Sequence, residues 1–119
     1  MNLQESGEMY LESIYVLSQE KEKVRLTDIS RYMNFSKPSV SRAINLLKES
    51  EYITINDNDI KLTKKGLTTA TKIYERHLVL TDYLISLGVS KKQASIDACK
   101  IEHDISDETF NTIKKQISK

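Results

Sequence analysis

The chain has 119 residues, 39% hydrophobic and 29% charged, which is long enough to bury a core without disulfides and too ordinary in composition for global disorder. Three glycines and one proline are too few for an all-β sandwich, and no apolar run approaches the roughly 20 residues of a membrane span. Eighteen basic against 17 acidic residues leave a net charge of +1, so bulk charge names no nucleic-acid partner.

A helix is predicted over residues 8–19, where Tyr10, Ile14 and Leu17 recur at steps of four and three and Leu11 and Tyr15 widen the stripe. A charged link follows, and Val24 to Leu26 reads as a short strand or an extended lead-in. Thr27 is the expected N-cap of the next helix, with Asp28 in its first turn and Ile29 and Met33 on one face; it ends near Asn34. Ser36 caps a third helix, and Pro38 sits in the first turn, where its missing N–H costs nothing. Val40, Ala43, Ile44 and Leu47 then form a full amphipathic signature, with Ser41, Arg42, Asn45 and Lys48 on the other face. From Ser36 to Lys48 there are basic residues and no acidic ones.

Two short helices joined by a tight turn, the second with a basic outer face, make a helix-turn-helix. Tyr52 to Ile55 and Ile60 to Thr63 read as strands around the dense turn signal Asn56-Asp57-Asn58-Asp59, which makes the unit a winged helix. A helix capped at Thr63 is expected to run to about Leu87, with Leu67, Ala70, Ile73 or Tyr74, His77, Leu80, Thr81 and Leu84 inward and Gly88 as its stop. Ser90 caps a helix expected to reach Ile105, and Ser106 starts a last one carrying Phe110, Ile113 and Ile117. The expected class is mainly α: a winged helix-turn-helix DNA-binding domain over 1–65, then an all-helical domain over 66–119.

On the recognition helix, Arg42 can donate bidentately to guanine, while Ser36, Ser39, Ser41 and Asn45 face phosphate or bases. Lys37, Lys48, the wing's Lys61, Lys64, Thr27 and Pro38 complete the expected DNA-binding surface. A polar helix face is also what solvent alone selects, and winged helices serve as protein-contact modules too. A contact module would show little salt-dependent affinity for duplex DNA.

Cys99, Glu102 and His103 stand at i, i+3 and i+4, placing a thiol, a carboxylate and an imidazole on one helix face. All three bind divalent transition metals. The plainer reading makes Cys99 a small apolar residue, Glu102 a surface charge and His103 a partner of the helix C-terminus. Met9 and Glu12 pair similarly on the first helix, and His77 lies on a mostly apolar side of the fourth; singly, each is more often structural.

The lone cysteine, Cys99, excludes an internal disulfide. Met1 to Glu8 is polar and lacks the basic start and apolar run of an export signal, so a cytoplasmic location is expected. A metallo-hydrolase using Glu102 as base would want a His-Glu-x-x-His signature, which is missing, as is a Gly-rich phosphate loop. No enzyme is expected.

The chain resembles the metal-dependent repressors of the diphtheria toxin repressor and manganese transport regulator family. The resemblance rests on Glu8-Met9-Tyr10-Leu11-Glu12-Ser13-Ile14-Tyr15, Ser36-Lys37-Pro38-Ser39-Val40-Ser41, Leu62-Thr63-Lys64-Lys65-Gly66, Arg76-His77 and Cys99-Lys100-Ile101-Glu102-His103-Asp104. It implies a cytoplasmic homodimer that binds Fe(II) or Mn(II), then an inverted-repeat operator, and represses metal-homeostasis genes, with no membrane and no small organic substrate as partner. Met9, Cys99, Glu102 and His103 match the primary site of the iron-responsive branch, and Glu12 and His77 match ligands of the manganese-responsive branch. Thr81 and Ser95 stand where the iron branch has ancillary ligands, so that second site is expected to be absent or altered. Ending at Lys119, the chain is expected to lack the SH3-like domain of the iron branch.

The metal set Met9, Glu12, His77, Cys99, Glu102 and His103 favours Fe(II) first and Mn(II) next, because thioether and thiolate donors suit softer ions; Co(II), Ni(II) or Zn(II) would substitute in vitro. The resemblance further implies a dimer surface built from the second half and the first helix, where Ile96, Ile101, Ile105 and Phe110 supply apolar faces. The alternative is a metal-independent winged-helix regulator that answers to a small organic ligand.

Overall fold

The structure, a computed structural model, describes residues 5–117; the first residues of the polar opening stretch lie outside them. It divides into two units, Met1–Thr71 and Lys72–Lys119, with the division falling inside one helix.

In the first unit, α1 spans Glu5–Glu20, α2 Leu26–Met33 and α3 Lys37–Glu49. The strands β1 (Ile53–Asn56) and β2 (Asp59–Leu62) pair antiparallel, Ile53 opposite Leu62 and Asn56 opposite Asp59. Asp57 and Asn58 close the hairpin with φ of 51° and 65°, the doubly left-handed turn whose twist matches its strands. Tyr10, Leu11 and Ile14 of α1 meet Ile29, Val40, Ile44 and Leu47 of the helix-turn-helix and Ile53 and Ile60 of the wing in one core.

The lead-in before α2 is extended and tied to the wing. The Ile60 N–H donates to the Val24 carbonyl (2.8 Å), and the Val24 N–H donates to Asp59 Oδ1 (3.1 Å). Arg25, not Thr27, holds the cap position of α2. The Asp28 carboxylate accepts from the Arg25 N–H at 2.9 Å, so the helix closes from its third residue and Thr27 falls inside it. At the other end Asn34 takes the left-handed conformation (φ 58°), a form open to Asn, and the turn into α3 begins. Ser36 caps α3 as expected, accepting from the Ser39 N–H at 3.4 Å.

The fourth helix, α4 (Lys64–Ser86), starts where Thr63 Oγ1 accepts from the Gly66 N–H at 3.1 Å. Gly66 lies so close to the Tyr52 carbonyl that a Cβ there would run into it. This contact sets the inward face of α4: Gly66, Ala70, Ile73 and Leu80 are buried. Leu67, expected inward, is 46% exposed, because the next residue along a helix is turned about 100° away. Gly88, with φ 106°, ends the helix as expected.

In the second unit α5 spans Lys91–Ile101 and α6 Asp107–Ile117. Ser90 caps α5 and Ser106 caps α6, accepting from the Gln93 and Thr109 N–H groups. The expectation that α5 reaches Ile105 is overturned: residues 102–105 form a turn. Arg76, a buried residue of α4, holds this turn. Its Nη1 donates to the carbonyls of Glu102 (3.0 Å) and Ile105 (2.7 Å), its Nη2 pairs with the Asp107 carboxylate, and its guanidinium stacks over Phe110. Phe110 is therefore core, whereas Ile96 and Ile101 are exposed.

Candidate functional site

The reading face is that of α3. Ser36, Lys37, Pro38, Arg42, Asn45 and Lys48 are exposed, and Ser39 and Ser41 are half-buried. The hydroxyls of Ser36 and Ser39 bond at 3.0 Å, and Arg42 Nη2 donates to Ser39 Oγ at 3.4 Å, so the guanidinium is steadied at the start of the helix. Thr27 is exposed on α2, Lys61 on the wing and Lys64 at the start of α4. All of these expected DNA contacts lie in the first unit.

The expected metal ligands divide between the units. Met9 and Glu12 are half-buried, one turn apart on α1. His77, Cys99, Glu102 and His103 belong to the second unit, and there the structure draws three of them into one cluster: a nitrogen of His77, the sulfur of Cys99 and a carboxylate oxygen of Glu102 all lie within 4.8 Å of one another. Glu102 is fully buried. Its Oε2 is 3.1 Å from His77 Nδ1, and its Oε1 is 3.4 Å from His103 Nε2, so one carboxylate is shared by two imidazoles. Glu102 holds the C-cap position of α5, but His103 sits in the turn that follows. The single helical face expected for the three donors is thus a helix end plus a turn.

The electrostatics suit a cation. The Cys99 sulfur and the Glu102 carboxylate beside it push the His77 imidazole up from 6.5 to about 10, so at neutral pH a proton stands where positive charge is favoured. A buried carboxylate flanked by imidazole and thiol is a mixed oxygen, nitrogen and sulfur donor set, and the residues fit a divalent transition metal.

Arg76 was not among the expected site residues. It positions the turn that carries Glu102 through the Glu102 and Ile105 carbonyls, and the Arg76 guanidinium, with Lys72, holds the Asp107 carboxyl below its ordinary range. Its sequence signal is a cation on the apolar stripe, three residues after Ile73 and four before Leu80.

Comparison with known proteins places both halves. Residues 2–58 match the iron dependent repressor N-terminal DNA binding domain, and residues 63–119 match the iron dependent repressor metal binding and dimerisation domain. A helix-turn-helix transcriptional regulator of Methanocaldococcus jannaschii is 32% identical over 115 residues, 94% of this chain and 92% of the relative. The regulator MntR of Geobacillus kaustophilus is 32% identical over 102 residues, 85% of this chain and 72% of the relative. Among solved structures, the manganese regulator SloR superposes with a TM-score of 0.85 at 28% identity, covering 99% of this chain and 55% of SloR. T. acidophilum IdeR gives 0.81 at 26% identity, covering 94% of this chain and 54% of IdeR. The chain spans about half the length of these two solved proteins.

Proposed function

The chain belongs to the iron-dependent repressor family of metal-dependent, DNA-binding transcriptional regulators rather than enzymes, and from that premise we propose that it is an Fe(II)-activated repressor of metal-homeostasis genes that acts in the cytoplasm on an inverted-repeat operator. The observation that carries the reading is the buried Glu102 carboxylate grouped with His77 and Cys99 in the half that matches a metal-binding and dimerisation domain. The domain division proposed is 1–65 for DNA and 66–119 for metal and dimerisation. No helix among the described residues is long and apolar enough to cross a membrane.

His77, Cys99 and Glu102 would hold the ion, with His103 on the other oxygen of Glu102; Met9 and Glu12 complete the set that the family resemblance implies. A divalent ion bound there would supply two positive charges to the buried donor set. This chain's own residues do the rest. Arg76 holds the turn that presents Glu102, and His77 gives up its proton. Arg42, Asn45 and the serines of α3 read the major groove, with Lys37, Lys48, Lys61 and Lys64 on phosphates and Thr27 and Pro38 beside them. In a dimer two such faces must meet successive major grooves, about 34 Å apart. Metal and DNA then raise each other's affinity by the same factor. The organic-ligand alternative finds no support in a match to a metal-binding domain.

The preference for Fe(II) over Mn(II) rests on Met9 and Cys99, a thioether and a thiol, donors softer than a carboxylate. Anaerobic titration of each ion, read by binding to a labelled duplex selected from random sequence, should show Fe(II) triggering at lower free concentration. A clear preference for Mn(II) contradicts it.

A further inference from the structure

The side chain that pins the Glu102 turn is itself held from α6. The Arg76 guanidinium reaches three points in one short stretch of chain: the Glu102 carbonyl at 3.0 Å, the Ile105 carbonyl at 2.7 Å and the Asp107 carboxylate. The first point is the C-cap of α5 and the last is the opening residue of α6. Phe110, one turn further along α6, packs its ring against the guanidinium, whose carbon lies 5.4 Å from the ring centroid. A guanidinium is a planar fork with fixed donor directions, so the way it is aimed sets where both carbonyls lie.

Arg76 is buried, and a buried cation needs a carboxylate to offset its charge. Asp107 is the carboxylate it pairs with. Lys72 also reaches Asp107, at 3.4 Å, but its ammonium is exposed and water screens that contact. A second ion pair between α4 and α6, Glu75 with Lys114 at 3.3 Å, is exposed at both ends. The two helices are thus joined by one pair that holds the metal-site turn and by another that only bridges the surface.

We propose that Asp107 is a positioning residue for the metal site: it bonds to none of the proposed ligands, yet through Arg76 it fixes the place of the Glu102 carboxylate, so that the seating of α6 and the affinity for metal are coupled. The proposal rests on the metal-binding reading and adds to it a helix that supplies none of the proposed donors. The coupling is reciprocal, so a bound divalent ion tightens the hold on α6 by the same factor.

The test is an anaerobic titration of the full chain with Co(II), read by its visible absorption. Arg76→Lys keeps the charge but loses the fork, and should lower Co(II) affinity about 10- to 100-fold, as outer-shell partners of metal ligands do. Asp107→Asn should lower it about tenfold, at the low end of that range. Its ligand-field band should also shift at saturating Co(II), which lost stability alone would not produce. Asp107→Glu, which restores the carboxylate, should return to within about threefold of wild type. The double variant Arg76→Lys plus Asp107→Asn should bind no more weakly than Arg76→Lys, because Asp107 acts only through Arg76. Glu75→Gln removes the surface pair between the same helices and should stay within about threefold of wild type. Wild-type affinity and spectrum in Asp107→Asn overturn the proposal, as does an equal loss in Glu75→Gln or a fully additive loss in the double variant. A wild type that takes up no Co(II) would instead overturn the metal-binding reading, and the role of Asp107 with it.

Discussion

Replacing Glu102 with glutamine should lower the affinity for Fe(II) or Mn(II) by more than about 100-fold while leaving the fold intact. Outer-shell partners of metal ligands alone are worth 10- to 100-fold, and Glu102 is the donor on which the cluster converges. It is fully buried, and its two oxygens serve His77 at 3.1 Å and His103 at 3.4 Å. Glutamine keeps the volume and one acceptor oxygen but removes the negative charge that offsets a buried cation. The backbone carbonyl of residue 102 still accepts from Arg76, so the turn should persist. The same change should let His77 titrate lower, because it removes one of the two groups that raise it. Anaerobic calorimetry, with circular dichroism to confirm folding, reads both parts. An affinity within about threefold of wild type would remove Glu102 from the ligand set.

The second large effect is on pH. The metal-free site holds a proton on His77, whose pKa of about 10 lies above the ordinary 6.5. A raised folded-state pKa means the imidazolium stabilises the fold fully below pH 6.5, and that contribution disappears as the pH climbs through about 10. Metal binding must displace this proton, so one titrating group makes affinity rise about tenfold per pH unit across the same window. Metal-free protein should therefore lose thermal stability on the alkaline side while metal affinity increases. Calorimetry of Mn(II) binding in buffers of different ionisation enthalpy counts the released protons directly. A pH-independent affinity with no proton release would mean that His77 stays protonated and outside the coordination sphere.

The reading head was legible because its signals are local. Ser36 followed by Pro38 marks a helix start, Val40, Ile44 and Leu47 mark its buried face, and Asn56 to Asp59 can close only a tight hairpin. The start of α2 departs from expectation because Thr27 carries the usual capping hydroxyl, yet the Asp28 carboxylate reaches back to Arg25 and closes the helix two residues earlier. The second unit was harder for a different reason. The turn after α5 is held by Arg76, which is 26 and 29 residues away from the carbonyls it takes, and no periodicity within α5 records that. Leu67 fits an apolar stripe by spacing, but the approach of Gly66 to Tyr52 fixes which face turns inward. The donors Cys99, Glu102 and His103 stood out by residue type and interval alone. The grouping of Cys99 and Glu102 with His77 depends on how α4 packs beside the end of α5, which spacing does not encode.

In the proposed mechanism, metal held at the Glu102 cluster governs the grip on DNA. The direct measurement is duplex affinity with and without Fe(II), for the wild type and for the double variant Glu102→Ala plus His103→Ala, using the duplex selected by the metal-loaded wild type. The wild type should bind at least about tenfold more tightly with metal, within the usual 5- to 150-fold range of allosteric coupling, and the double variant should bind equally weakly in both conditions. A double variant that keeps the wild-type response to metal would contradict the claim.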